Sequence, residues 1–156
     1  MNAPLNLTLH SPEETAAIAA RMGSRLQPGD TILLEGAIGS GKTHFARALI
    51  QSVLAVSEDI PSPTFTLVQV YDTELGEVWH SDLYRLGSVE EIEELGLIDA
   101  FEASICLIEW PDKLGSLTPQ PALLIRFTAD PDDHDTRHLT LSWSDPKWNI
   151  KLEIIQ

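Results

Sequence analysis

The stretch Gly36-Ala37-Ile38-Gly39-Ser40-Gly41-Lys42-Thr43 constrains this chain more than any other. It follows the apolar run Thr31-Ile32-Leu33-Leu34 and opens onto Phe45-Ala46-Arg47-Ala48-Leu49-Ile50, which reads as helix. Strand, glycine-rich turn, lysine, threonine, helix is the order that a phosphate-binding P-loop needs. Glycines let the backbone turn tightly and aim N–H groups at phosphate oxygens, and the helix N-terminus adds partial positive charge at the same point. On this reading Gly39, Ser40 and Gly41 line the phosphates, Lys42 reaches the β- and γ-phosphates, and the Thr43 hydroxyl coordinates magnesium.

The remainder of the chain bounds what such a loop serves. With 156 residues, one domain with a sizeable core is expected over residues 1–156. The net charge of −14, from 24 acidic and 10 basic residues, argues against broad attraction to nucleic acid, which relies on lysine and arginine. Any work on RNA is therefore expected to run through a partner. No apolar run is long enough to span a bilayer, and Met1-Asn2-Ala3-Pro4-Leu5 lacks the basic and apolar parts of a secretion signal. The expectation is a cytoplasmic protein with no membrane partner. Cys106 is the single cysteine, which excludes an internal disulfide.

In chain order, Leu5, Leu7 and Leu9 alternate with polar residues as in a half-buried strand. Ser11-Pro12-Glu13-Glu14 is a helix start with Glu14 in the capping-box position. Leu67 to Tyr71 and Val78 to Asp82, joined by Glu74-Leu75-Gly76-Glu77, predict an antiparallel hairpin that carries Asp82 at its end. Ser88 caps a short helix that Gly96 ends, and Leu97 to Glu102 predicts a further turn. Between the P-loop helix and the hairpin, Pro61-Ser62-Pro63-Thr64-Phe65-Thr66 is either a stiff connector or a nucleotide-sensing switch loop.

Ser104 to Glu109 is apolar without alternation until its final acid, which predicts a strand buried on both faces of a parallel sheet. Glu109 is then either a strand-end carboxylate facing water or a magnesium-side acid of the Walker B type. Cys106 within it reads as core packing. Leu123 to Phe127 and Arg137 to Trp143 predict a second hairpin with the acidic tip Asp130 to Asp135. The tail Trp148 to Ile155 reads either as a final strand or as a segment docked elsewhere.

Four segments in one order carry a resemblance. They are Gly36 to Thr43, Ser62-Pro63-Thr64-Phe65-Thr66-Leu67-Val68, His80-Ser81-Asp82-Leu83-Tyr84-Arg85-Leu86 and Ile108-Glu109-Trp110-Pro111. Together they resemble the TsaE (YjeE) family, the small bacterial ATPases of tRNA threonylcarbamoyladenosine biosynthesis. The resemblance implies an α/β, P-loop NTPase-like three-layer fold with a mixed parallel/antiparallel sheet. It also implies an ATP and Mg2+ site, slow hydrolysis, and partnership with a TsaD-like transferase and a TsaB-like subunit, so that tRNA is met only through them.

Carried over residue by residue, Lys42 and Thr43 hold phosphate and magnesium, and Glu109 is the second acid near the metal. Asp82 orients or deprotonates the attacking water, and Thr64 with its neighbours forms the switch-like loop. Three departures stand out. An acid common in the family is Ala37 here, so a catalytic or gating role at that position loses its side chain. His44 replaces a common Thr or Ser, leaving the Thr43 hydroxyl intact. A Gly-Arg pair of the family falls at Asp133-His134, with Arg137 the nearby candidate to replace its charge. Two further functions fit the motifs: a small-molecule kinase, or a nucleotide-gated binding module with incidental hydrolysis. No arginine-rich lid segment favours the kinase.

Overall fold

The structure is a computed structural model that describes residues 4–63 and 66–156. The strands, in chain order, are β1 (Leu5–Leu9), β2 (Thr31–Gly36), β3 (Val68–Thr73), β4 (Gly76–Asp82), β5 (Ile105–Glu109), β6 (Leu123–Ala129) and β7 (Arg137–Ser142). They form one sheet in the order β1-β7-β6-β2-β5-β4-β3. Its centre is parallel, since β2 pairs with both β5 and β6 and β4 pairs with β5. The hairpins β3–β4 and β6–β7 and the β1–β7 pair make both flanks antiparallel. This is the mixed sheet that the resemblance implies.

Helices α1 (Pro12–Gly23) and α2 (Lys42–Val53) cover one face. Their apolar stripes, with Ile18, Met22, Phe45, Leu49 and Ile50, meet Ile32, Leu34, Leu107 and Ile125 of the sheet. Helices α3 (Val89–Glu94) and α4 (Leu97–Ala103) and the 3-10 turns of Pro111–Leu117 cover the other face. There Ile92, Leu97 and Leu114 pack on Leu33, Cys106 and Ile108. Alternate residues of β2 and β5 thus feed two cores, which is why all five residues of β5 are buried. Helix, sheet, helix gives the three layers.

Helix starts follow their local chemistry. Ser11 and Ser88 accept the N–H groups of Glu14 and Glu91, and each of these helices carries two acids in its first turn. The Glu14 carboxylate reaches the N–H of His10, one residue before the position that a capping box predicts. The tail is helical: α5 (Lys147–Lys151) runs into a 3-10 turn over Leu152–Ile155. It buries Trp148, Leu152 and Ile155 in the α1–α2 core and leaves Ile150 exposed. Among the described residues no helix is long and apolar enough to cross a membrane.

Candidate active site

The parallel register brings three strand ends together. Leu34 pairs with Glu109, and Glu109 pairs with Asp82, so β2, β5 and β4 end side by side. Ligand crevices in α/β sheets form at such carboxyl ends. A cavity of about 640 Å³ opens there, and Gly39, Ser40, Gly41, Lys42, Thr43, Asp82 and Glu109 all line it. Thr64, the remaining predicted site residue, lies outside the described residues.

The loop from β2 to α2 has a stated need for two of its glycines. A Cβ on Gly36 would lie 2.7 Å from the Phe127 carbonyl oxygen of β6, so only hydrogen fits. Gly41, the residue before α2, has φ 107°, a left-handed conformation that glycine adopts without strain. No side chain caps this helix, and its first turn carries no acid. Its leading N–H groups and partial positive charge are therefore offered to the cavity rather than to the protein. The Ser40 hydroxyl beside them is buried and has no partner among the described residues.

Lys42 is 5% exposed. Its ammonium donates to the carbonyls of Gly36 and Ala37, closing the loop upon itself. The Trp110 ring lies 4.2 Å from Nζ, a cation–π contact, and Tyr84 packs on that ring with centroids 4.6 Å apart. Burial pushes the Lys42 ammonium below its usual pKa, and the charges of Glu109 and Asp82 oppose that shift. Trp110 has φ 59°, and Leu67, on the other side of Asp82, has φ 69°. Left-handed backbone at bulky residues costs free energy and concentrates at functional sites.

Glu109 is only 2% exposed, which overturns the reading of a strand-end carboxylate facing water. Its Oε1 accepts the Thr43 hydroxyl at 2.7 Å, and its Oε2 meets His80 Nε2 at 2.7 Å. With its proton on Glu109, the Thr43 oxygen keeps its lone pairs for a cation. Asp82 accepts the Tyr84 N–H at 2.9 Å, while its own N–H donates to Leu67 O at 3.1 Å. That second bond ties the described end of the 61–67 loop to the end of β4.

Residues 9–139 match the family described as Threonylcarbamoyl adenosine biosynthesis protein TsaE. The chain belongs to the TsaE family. The tRNA threonylcarbamoyladenosine biosynthesis protein TsaE of Rickettsia bellii is 39% identical over 132 residues, 85% of this chain and 92% of that protein. The TsaE of Bacillus subtilis is 36% identical over 124 residues, 79% of this chain and 77% of that protein. The crystal structure of Bacillus subtilis YdiB superposes with a TM-score of 0.79 at 29% identity, covering 98% of this chain and 94% of that one. The role that comes with this family is in tRNA threonylcarbamoyladenosine biosynthesis.

The departures of this TsaE chain can now be placed. His44 lines the same cavity, and its Nε2 bonds the Pro12 carbonyl at 3.0 Å. Asp135 and His134 line the cavity together with Arg137. Arg137 Nε donates to Ser40 O at 3.1 Å, and Nη1 donates to the carbonyls of His134 and Thr136. It therefore braces the β6–β7 connection against the P-loop. Three contacts escaped the sequence reading: this brace, the Lys42–Trp110 stack, and the His80–Glu109 pair. For the last, the sequence places His80 two residues before Asp82 on the same face of β4, but it does not name Glu109 as the partner.

Proposed function

We propose that this chain binds ATP with magnesium at the β2–α2 loop and hydrolyses it slowly. That turnover supports repeated cycles of the machinery that adds threonylcarbamoyl to the adenosine next to the tRNA anticodon. The observation that carries the reading is the Thr43–Glu109 hydrogen bond at the uncapped start of α2, directly after the buried Lys42. A threonine whose proton is held by a strand-end acid, beside a lysine and open helix N–H groups, fits a magnesium–triphosphate better than any neutral ligand.

Each residue then has a task. The amides of Gly39, Ser40 and Gly41 cradle the phosphates, and Lys42 moves its charge from loop carbonyls to phosphate oxygens. Thr43 and Glu109 would hold magnesium, Thr43 directly and Glu109 from the second side. When bound, the ion neutralises charge on the leaving phosphates. Among the described residues no group of three His, Cys, Asp or Glu is arranged to hold a metal. Most ligands of the ion would come from phosphate and water, which is how magnesium binds nucleotides. Asp82, at the cavity wall beside Glu109, would orient or deprotonate the attacking water, and Thr64 would belong to the switch-like loop.

The partners in this reading are a TsaD-like transferase and a TsaB-like subunit. With a net charge of −14 the chain itself repels a polyanion, so contact with tRNA runs through them. A slow intrinsic rate is expected where a partner completes the site, as activators do for GTPases. The test is phosphate release from ATP by the purified chain, with and without magnesium and the two partners. Magnesium-dependent release that the partners stimulate supports the reading. Release that requires an added small-molecule acceptor would make the chain a kinase. Support of the modification by a Glu109→Ala chain without turnover would make it a nucleotide-gated binding module.

A further inference from the structure

His80 is fully buried, yet nothing in the proposed reaction so far uses it. It lies on β4 opposite Leu107 of β5, while Asp82 lies opposite Glu109. Residues two apart on a strand share a face, so His80, Asp82, Leu107 and Glu109 all project toward α2. From one step below the strand ends, the imidazole reaches up to Glu109 Oε2 at 2.7 Å. The other carboxylate oxygen is fixed by Thr43 at 2.7 Å. A carboxylate held at both oxygens by donors from two different elements cannot rotate about its terminal torsion without breaking one of the bonds.

The donor direction follows from chemistry. An ionised carboxylate only accepts, so His80 Nε2 carries the proton. His80 Nδ1 is buried and has no partner among the described residues. A ring with one partnered nitrogen and one buried, unpartnered nitrogen donates in a single direction. Were His80 mere packing, a leucine of similar size would fill the space without an unpartnered buried polar atom, which costs free energy.

We propose that His80 is a positioning residue for Glu109: its Nε2–H locks the carboxylate in the rotamer that takes the Thr43 proton and faces the magnesium side of the cavity. This inference rests on the ATPase reading above. Without His80 the carboxylate keeps its charge and its bond to Thr43 but gains a free rotation. Nucleotide binding, which depends on Lys42 and the loop amides, should then survive while the chemical step slows. Partners that orient a metal-side ligand typically contribute about 10–100-fold in activity or metal affinity.

The experiment compares wild type with His80→Leu and His80→Gln. Gln places an amide N–H near the position of Nε2; Leu keeps only volume. In ATP turnover assays, His80→Leu should lower kcat by about 10–100-fold with little change in KM, and His80→Gln should recover most of the loss. A readout without nucleotide accompanies them. In histidine-labelled protein, nitrogen–proton spectra should show one side-chain Nε2–H, shifted downfield and protected from exchange, which disappears in His80→Leu and moves in Glu109→Gln. Equal kcat for wild type and His80→Leu, a parallel rise in KM, no recovery in His80→Gln, or a proton found on Nδ1 would each overturn the positioning role. If His80→Leu fails to fold, the His80→Gln kinetics and the wild-type resonance decide by the same criteria. If wild type shows no magnesium-dependent turnover, the ATPase reading falls and the inference with it; if wild type turns over and His80→Leu matches it, the inference falls alone.

Discussion

Buried charge occurs at both ends of β2, and the two ends handle it differently. Just before the strand begins, Asp30 is 3% exposed. Its carboxylate meets Lys147 at 2.8 Å and Lys151 at 2.7 Å and accepts the Gln27 N–H at 2.8 Å. Two fixed countercharges and a backbone donor satisfy it, and the same contacts pin α5 to the sheet. Where the strand ends, Lys42, Asp82 and Glu109 are buried to a similar degree. There the ammonium is held by loop carbonyls and an indole face, and Glu109 by a hydroxyl and an imidazole. Countercharge at one end makes a clasp. At the other, the direct contacts of Lys42 are dipoles, and the carboxylates act on it only across space.

Breaking the clasp should have the largest effect on folding. Asp30→Ala removes the carboxylate from both lysines and should destabilise by about 3 kcal/mol in urea unfolding. The folded fraction should bind ATP as wild type does, because the clasp lies at the far end of the strand. Thr43→Val is the mirror case. It removes one donor from buried Glu109, a loss of about 1–2 kcal/mol in stability, but it should abolish magnesium-dependent turnover. A mutant of either kind that changed both properties equally would erase the distinction between the ends.

Cys106 lies on β5 opposite Thr31, at the Asp30 end of β2, and carries the smallest expected effect. Burial pushes its thiol up to about 12, so it stays neutral in the folded chain. A thiol-alkylating reagent at pH 8 should leave native protein unmodified and label it fully in denaturant. Because folding raises this pKa, the thiol contributes stability below its unfolded value of about 8.5. That contribution fades as pH rises toward the folded value, and Cys106→Ala should flatten this part of the stability profile.

Much of the site was legible because its signals are local. The glycines, lysine and threonine of the P-loop are contiguous, and an apolar run closing on Glu109 marks a strand buried on both faces. The hairpins and the Ser11 and Ser88 caps were legible for the same reason. The tail read two ways because Ile150, Leu152 and Ile154 alternate like a strand; the docked alternative holds, with Trp148, Leu152 and Ile155 buried at helical spacing. The pairing of His80 with Glu109 spans 29 residues and depends on the register of β4 against β5, which no local pattern encodes. The Lys42–Trp110 stack needs the left-handed backbone at Trp110, and a tryptophan gives no hint of that conformation.

The central claim is that the carboxyl end of β2 holds its charge ready for a nucleotide, with Lys42 as the group that changes partners. Calorimetric titration of ATP with magnesium into wild type and Lys42→Ala tests it most directly. Wild type should bind at one site, and the variant should bind at least about 10-fold more weakly, the loss expected for a charged hydrogen bond. Its unfolding midpoint should stay close to that of wild type, because a desolvated ammonium contributes little to folding. Equal ATP affinity in the two proteins would contradict the claim.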